Sequence, residues 1–251
     1  MSHEPFNQDV ARNGGYVYTT NNRLSSRLAN RRQTRALLQS AHYEDKRVLD
    51  IGCGDGTYTC ELFDAARPAC IHGVDPAEEA ITSARGKAQG RPVTFSVASA
   101  YTLPFGDDSF DVACLRGVLH HLNQPAAALH EALRVAGTLV VIEPNGYNPV
   151  LKVIERVSPY HVAHEEKSYP PRLLDRWVRE QGGRVTRRRF SGLVPFFCPD
   201  WMARALKDLE PWVERVPGLS GVACGNYVFS AAHQRVQGDL ETAPAALPIN
   251  L

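Results

Sequence analysis

A glycine-rich turn after a short apolar stretch is the feature that most constrains the fold of this chain. Val48 to Ile51 is predicted to form a buried strand, and glycines follow at positions 52, 54 and 56. Glycine lets the backbone turn sharply and lets a ligand approach where a Cβ atom would obstruct it. The residues from Thr57 onward can begin a helix whose free N–H groups face the same spot. This strand–turn–helix unit therefore indicates a nucleotide-type binding turn.

The spelling of the turn indicates which ligand it suits. A dinucleotide fingerprint has the pattern G-x-G-x-x-G, which would require glycine where this chain has Thr57. The chain instead has G-x-G-x-G, and an acidic residue, Asp50, ends the preceding strand. The series Asp50-x-Gly52-x-Gly54-x-Gly56 resembles motif I of the class I S-adenosylmethionine (SAM)-dependent methyltransferases. In that family the glycines would allow close approach to the methionine portion of the cofactor.

Four further motifs follow in the order that the resemblance requires. They are GVD at 73–75, LPFGDDSFDV at 103–112, VLHHL at 118–122 and EALRV at 131–135. The similarity spans 47–143, and the flanks lie outside it. It implies an α/β fold: a doubly wound, seven-stranded, mostly parallel Rossmann-like sheet, with an N-terminal lid and cap insertions after strands five and six.

The resemblance also implies which residues contact SAM. Asp75, at the carboxyl end of the second strand, would accept the ribose hydroxyls, although an Asp before Pro76 could instead cap the next helix. Ser99 stands where the family usually has Asp, so its hydrogen bond to adenine would be uncharged. The expected cofactor contacts are Tyr18, Asp50, Gly52, Gly54, Asp75, Pro76, Ser99, Ala100 and Leu115, with the Ala100 amide facing adenine and the Leu115 carbonyl facing the ammonium group. Tyr18 could equally anchor the lid to the core.

No motif specifies the atom that is methylated, so the proton acceptor stays open among five candidates. His120 follows strand four, and Glu143 lies at the end of strand five. The other three, His161, His164 and Glu165, lie in a polar segment after strand five. The His-x-x-His-Glu spacing could bind a metal, but a substrate-facing polar cluster or an ordinary surface loop fits as well, and we expect no metal. His120 and His121 could also be packing residues. Catalysis without an essential base is a further alternative.

The segment after strand six is apolar and aromatic. Phe196, Phe197 and Trp201 fall within twelve residues that also hold two prolines. Such a segment over a pocket mouth suits an acceptor with hydrophobic or ring character. The alternatives are a satellite core beneath the cap and a homodimer contact.

Composition and charge limit the kinds of partner and the cellular location that we expect for this chain. The chain has 251 residues, of which 43% are hydrophobic and 22% are charged, and its formal net charge is +1. That balance gives no electrostatic case for nucleic acid or for an anionic membrane surface, and Arg187 to Arg189 fit the wet face of a strand. No apolar run approaches the length of a membrane span, and no signal peptide opens the chain. Six cysteines without a C-x-x-C pair predict free thiols and a cytoplasmic location.

These observations predict three regions. Residues 1–40 form a lid, residues 41–233 form the methyltransferase domain with cap insertions at 145–171 and 191–225, and residues 234–251 form a flexible tail. The predicted function is methyl transfer from SAM to a small, partly hydrophobic or aromatic acceptor. The alternatives are an NAD-dependent oxidoreductase and a non-catalytic SAM-binding protein.

Overall fold

The computed structural model describes residues 19, 21–158 and 167–233. The predicted tail, 234–251, and most of the predicted lid before position 21 lie outside the described residues. The elements in chain order are α1 (Leu24–Leu38), β1 (Arg47–Ile51), α2 (Thr57–Ala66), β2 (Cys70–Asp75), α3 (Glu78–Lys87), β3 (Val93–Val97), β4 (Phe110–Arg116), a 3-10 turn (Leu119–His121), α4 (Pro125–Val135), β5 (Ala136–Pro144), α5 (Pro149–Val157), α6 (Pro171–Glu180), β6 (Gly183–Ser191), α7 (Asp200–Arg215), α8 (Leu219–Ala223) and β7 (Asn226–His233).

The seven strands form one sheet in the order β3-β2-β1-β4-β5-β7-β6. Strands β1 to β5 pair in parallel, whereas β7 is antiparallel to both β5 and β6. The strand order reverses between β1 and β4, and in sheets of this kind a ligand binds beyond the carboxyl ends of the strands at such a reversal. The predicted doubly wound, seven-stranded, mostly parallel Rossmann-like sheet is confirmed.

Alternate residues of the central strands pack on opposite faces of the sheet. Leu49 and Ile51 belong to one buried cluster, together with Leu129 and Leu133 of α4. Val48, which directly precedes Leu49 in β1, belongs to the cluster on the other face. Because helices cover both faces, the central strands are apolar along nearly their whole length. The sheet is therefore held rigidly, and its carboxyl edge can position side chains.

Helix α7 is longer than the sequence predicts. The sequence predicts a helix after Trp201 that ends near Leu209, before Glu210 and Pro211, but the helix continues to Arg215. Proline removes one backbone hydrogen bond from a helix interior. Glu210 and Glu214, on either side of Pro211, both lie against Arg32 of α1, which ties the two halves of the helix to the same neighbour. Among the described residues, no helix is long and apolar enough to span a membrane.

Candidate active site

The glycine turn between β1 and α2 has the backbone conformation that only glycine adopts readily. The φ angles of Gly52, Gly54 and Gly56 are 75°, 54° and 73°. The amides of Gly52 and Cys53 both donate to the Val74 carbonyl oxygen, at 2.8 and 3.0 Å. A Cβ atom on Gly52 would lie 2.5 Å from a methyl carbon of Val118. Both the turn and the close packing therefore require glycine at position 52.

Asp75 organises this turn. Its Oδ2 accepts the Gly54 amide at 3.0 Å, and its Oδ1 accepts the Ala77 amide at 3.0 Å. The second bond holds Ala77, which is itself the N-cap residue of α3, so Asp75 does not cap that helix as the alternative supposed. A carboxylate oxygen can accept more than one hydrogen bond, so these contacts are compatible with ribose hydroxyls. Ribose binding by Asp75 stays a prediction.

Asp50 is buried on the carboxyl side of β1, close to the turn. Its Oδ2 accepts the hydroxyl of Thr59 at 2.6 Å. Burial raises the pKa of Asp50 from its ordinary value of 3.8 to about 6, against the opposing effects of the Thr59 hydrogen bond and the Arg116 charge. A carboxyl in this environment is ready to meet a cationic group of a ligand, whose charge would favour the ionised form.

Asp55, between the second and third glycines, is a site residue that the sequence analysis missed. Lys87 lies 2.8 Å from its Oδ2, and the Thr57 amide donates to its Oδ1 at 3.1 Å. Burial alone would raise the pKa of Asp55, but these hydrogen bonds hold it below its ordinary value. Asp two residues before a helix start is a known capping signal, which could have identified it. Asp55 fixes the far side of the turn to α3.

The remaining predicted cofactor residues lie along the same edge. Ser99 is exposed after β3, and its hydroxyl accepts the Tyr101 amide at 3.2 Å. Ala100 follows it, and Leu115 is fully buried near the end of β4, paired in register with Ile51. Pro76 is exposed beside Asp75. Tyr18 lies outside the described residues, and the cofactor roles of the other four stay predictions.

Arg116, at the end of β4, fastens the N-terminal helix over this edge. Its guanidinium lies 3.7 Å from the centre of the Tyr58 ring. It also donates to Gln33 Oε1 at 3.1 Å, to Thr34 Oγ1 at 3.0 Å and to the Asn30 carbonyl and amide oxygens at 3.2 Å. A planar five-donor group can hold several acceptors of one helix at once, which lysine cannot do. Helix α1 is thus fixed across the end of β4.

Further contacts hold α1 to the second cap. The hydroxyls of Ser25 and Ser26 donate to the Phe196 carbonyl at 2.8 and 2.7 Å. Arg32 makes a two-pronged contact with Glu214 of α7. These residues carry no recognisable motif, so the sequence analysis did not identify them. Helix α1 packs on the carboxyl edge of the sheet through these contacts, and the lid role of residues 1–40 stays a prediction.

Glu143, at the end of β5, is a buried anchor for the turn that carries the two histidines. Its Oε1 accepts the amides of Val118 and Leu119 at 2.8 and 2.7 Å. Its Oε2 accepts the amide of His120 at 3.2 Å and pairs with His120 Nδ1 at 2.7 Å. The residue is 1% exposed. Two of the four contacts are made with His120 itself and the other two hold the residues just before it, so the two catalytic candidates form a single unit.

A cavity of about 460 Å³ lies beyond the carboxyl ends of β4 and β5. Its described walls are mostly apolar, with Leu151 and Ile154 of α5 on one side and Val194 to Phe197 on the other. His120 and Lys167 contribute polar groups. A second, smaller cavity of about 40 Å³ lies against Asp50 and the glycine turn. Tyr58 and Arg116 line both cavities, so the two are neighbours.

The polar segment after α5 lies largely beyond the described part of the chain. His161, His164 and Glu165 fall outside the described residues, so their catalytic candidacy stays a prediction. Within 19, 21–158 and 167–233, no group of three or more His, Cys, Asp or Glu side chains is arranged to hold a metal ion.

Comparison with known proteins identifies a domain within the chain. Residues 49–141 match the model of a family described as a methyltransferase domain. The ubiquinone/menaquinone biosynthesis C-methyltransferase UbiE of Geobacter sulfurreducens is 31% identical over 131 residues, which cover 49% of this chain and 51% of that protein. A tRNA U34 carboxymethyltransferase of Alcanivorax borkumensis is 35% identical over 104 residues, which cover 39% of this chain and 32% of that protein.

The matched segment spans about a third to a half of the length of these curated relatives. A solved structure, a SAM-dependent methyltransferase from Thermotoga maritima, superposes with a TM-score of 0.66 at 20% identity, covering 93% of this chain and 100% of that one. At that identity the likeness concerns the fold. Together with the ordered motifs, the match shows that residues 49–141 form a methyltransferase domain of the class I type, which uses SAM as its cofactor.

Proposed function

We propose that this protein transfers the methyl group of SAM to a small acceptor with apolar or aromatic character. The observation that carries the proposal is the cavity of about 460 Å³ beside the glycine turn. It has the size and the mostly apolar wall of a small-molecule site. SAM supplies the electrophilic methyl group, so the protein has to align the acceptor and exclude water. Helix α1 and the Val194–Phe197 segment perform that enclosure.

We assign the proton acceptor to His120 and a positioning role to Glu143. A carboxylate at 2.7 Å from Nδ1 favours the tautomer with the proton on Nδ1, which leaves Nε2 as the basic nitrogen. His120 also lines the cavity. Glu143 already accepts four hydrogen bonds and is buried, so it acts through His120. This arrangement supports an acceptor that carries a proton to be removed, such as a phenol, a thiol or an ammonium group.

The basic run Arg187 to Arg189 of β6 is also compatible with a small-molecule acceptor. Arg188 contacts Asp175 at 2.7 Å, and Arg189 donates to Gln39 Oε1 at 2.6 Å. Two of the three arginines are thus engaged within the chain. Because one relative is named for a tRNA reaction, total tRNA belongs in any acceptor panel.

The test is methyl transfer from SAM labelled on the methyl group to a panel of phenols, thiols, amines and total tRNA. We expect label in a ring-bearing small molecule. His120→Ala should lower kcat by about 10²- to 10⁴-fold, the usual contribution of a placed base. The dissociation constant for SAM should stay within about threefold, since His120 lies on the acceptor side. His130→Ala, on α4, is the matched control and should behave as wild type.

Three results would contradict the proposal. Label in tRNA alone would replace the small-molecule acceptor, and NAD binding without SAM binding would restore the oxidoreductase alternative. SAM binding without transfer to any member of the panel would favour the non-catalytic alternative. Undiminished kcat in His120→Ala would remove the base from the proposal and leave alignment as the source of catalysis.

A further inference from the structure

The outer face of α7 carries an exposed apolar stripe. Trp201 and Trp212 are 73% and 70% exposed, although tryptophan is usually among the well-buried residues. Leu209 and Val216 are about half exposed. Helical spacing places Trp201, Leu209, Trp212 and the exposed Ala205 on one side of the helix, because they recur at intervals of three and four residues. Val216 is the residue directly after the end of the helix. The opposite side packs on the protein through Ala203 and Glu210.

A charged stripe runs beside the apolar one on the same exposed face. It consists of Asp200, Arg204, Asp208 and Arg215, all exposed. At 100° per residue, all four lie on the same flank of the stripe. The order of their charges is acid, base, acid, base along the helix. A sequence of this kind can meet its own reversed copy without placing equal charges together.

We propose that a second copy of this chain covers the face, with the two α7 helices antiparallel about a two-fold axis. If Trp201 lies opposite the partner's Trp212, then Arg204 lies within one residue of the partner's Asp208. One residue of offset is about 1.5 Å along the helix axis. A two-fold axis also brings the charged flank of one copy against the charged flank of the other. The ion pairs and the tryptophan pairs are therefore satisfied in a single register.

The end of the charged stripe fits the same register. Asp200 lies within two residues, about 3 Å, of the partner's Arg215. Ala205 falls near the axis, where its small side chain lets the helices approach. An isologous interface requires such self-complementarity, because every contact between two residues occurs twice, once on each side of the two-fold axis.

The area is that of a weak dimer. The four large apolar side chains of the stripe expose roughly 500 Å² per copy, against about 800 Å² per partner in a standard interface. The charged flank and the exposed Leu219 and Val222 of α8 are available to supply the difference. We therefore expect a dissociation constant in the micromolar range rather than an obligate dimer. Because Arg32 holds α1 to the inner side of α7, dimerisation also braces the cap over the cavity.

The test is sedimentation of the full chain from about 1 to about 200 µM, with reciprocal charge variants. Arg204→Asp and Asp208→Arg each place equal charges against one another in their own homodimers. We expect each to weaken self-association by about tenfold or more. An equimolar mixture of the two restores every pair and should associate as the wild type does. Arg176→Asp, at an exposed ion pair on α6, is the control and should leave the dimer unchanged.

Trp201→Ser with Trp212→Ser provides an independent arm and should give a monomer whose circular dichroism matches that of the wild type. A wild type that is monomeric over the whole range would overturn the proposal. So would a dimer that none of the α7 variants weakens, which would assign self-association to another face. A monomer that sediments with phosphatidylcholine vesicles, and loses that property in the tryptophan variant, would replace the second copy by a membrane surface.

Discussion

Asp50→Asn changes the pH dependence of stability in the ligand-free protein. Asp50 is an acid whose pKa is about 6 when folded and about 3.8 when exposed. The folded state therefore binds its proton more tightly. Such a group stabilises the protein fully below the unfolded pKa, and that stability is lost as the pH rises toward the folded pKa. Asparagine has no such titration.

The gap between the two pKa values sets the magnitude. It corresponds to a total loss of roughly 3 kcal/mol, since one pKa unit is about 1.4 kcal/mol. About half of this loss has occurred by pH 5. Between pH 5 and pH 8, the free energy of unfolding of the wild type should therefore fall by roughly 1.5 kcal/mol relative to Asp50→Asn. Comparing the two proteins cancels every other titrating group and any fixed cost of the amide.

Urea unfolding at a series of pH values measures this difference directly. Asp64→Asn is the control, because Asp64 pairs with Arg91 at 2.7 Å and its pKa is lowered rather than raised. Because its carboxyl is ionised in both the folded and the unfolded state above pH 5, its difference from the wild type should be flat between pH 5 and pH 8. Parallel wild-type and Asp50→Asn curves from pH 5 to pH 8 would refute the reasoning that burial governs this carboxyl.

Three further predictions concern the frame of the site. Gly52→Ala should lower the free energy of unfolding, measured in urea, by about 2–4 kcal/mol, because φ is positive there and a Cβ atom would lie 2.5 Å from Val118. The control is Gly86→Ala, in open space on α3, which should be neutral or slightly stabilising. Glu143→Gln should cost about 2–4 kcal/mol by the same measurement, because an amide NH₂ cannot accept the two donors at Oε2; unchanged stability would show that these bonds are dispensable. Arg116→Lys should raise the amide hydrogen exchange of α1 by about tenfold or more, because the ammonium group cannot hold Asn30, Gln33 and Thr34 together; equal exchange in both proteins would contradict the fastening role.

The local parts of this fold follow from the sequence, because their causes are local. Apolar Val48 to Ile51, the alternating glycines and the helix start at Thr57 lie within ten residues, and the structure has the strand, turn and helix at those positions. The succession of strands along the chain follows from the motifs, because Asp75 and the later motifs each mark the end or the start of a strand. Their arrangement in a Rossmann-like sheet follows from the resemblance. Asp75 ends β2 as the sequence predicts, whereas the bond from the Gly54 amide to its carboxylate is a contact that the sequence did not indicate.

The parts that could not be predicted depend on partners distant in sequence. Glu143 is visible as an acid at a strand end, but its four donors come from residues 118–120, on another strand's exit loop. The sequence therefore indicates a candidate base, whereas the hydrogen bonds in the structure show a carboxylate that holds residues 118–120 in place. Arg116 has the same property, because its acceptors lie more than 80 residues earlier on α1. Helix α7 continues through Pro211 because Arg32 holds the residues on both sides of that proline. Local helix propensity does not predict such a long-range contact.

Isothermal titration of the purified chain with SAM tests the central claim most directly, namely that the turn after β1 is a SAM site. We expect one site per chain with micromolar affinity, at least about tenfold weaker binding in Asp75→Asn, and no heat with NAD under the same conditions. Asp75→Asn also removes one acceptor for the Gly54 or Ala77 amide, so urea unfolding is measured beside the titration to separate lost binding from lost folding. Absence of SAM binding in a folded wild-type chain would contradict the account.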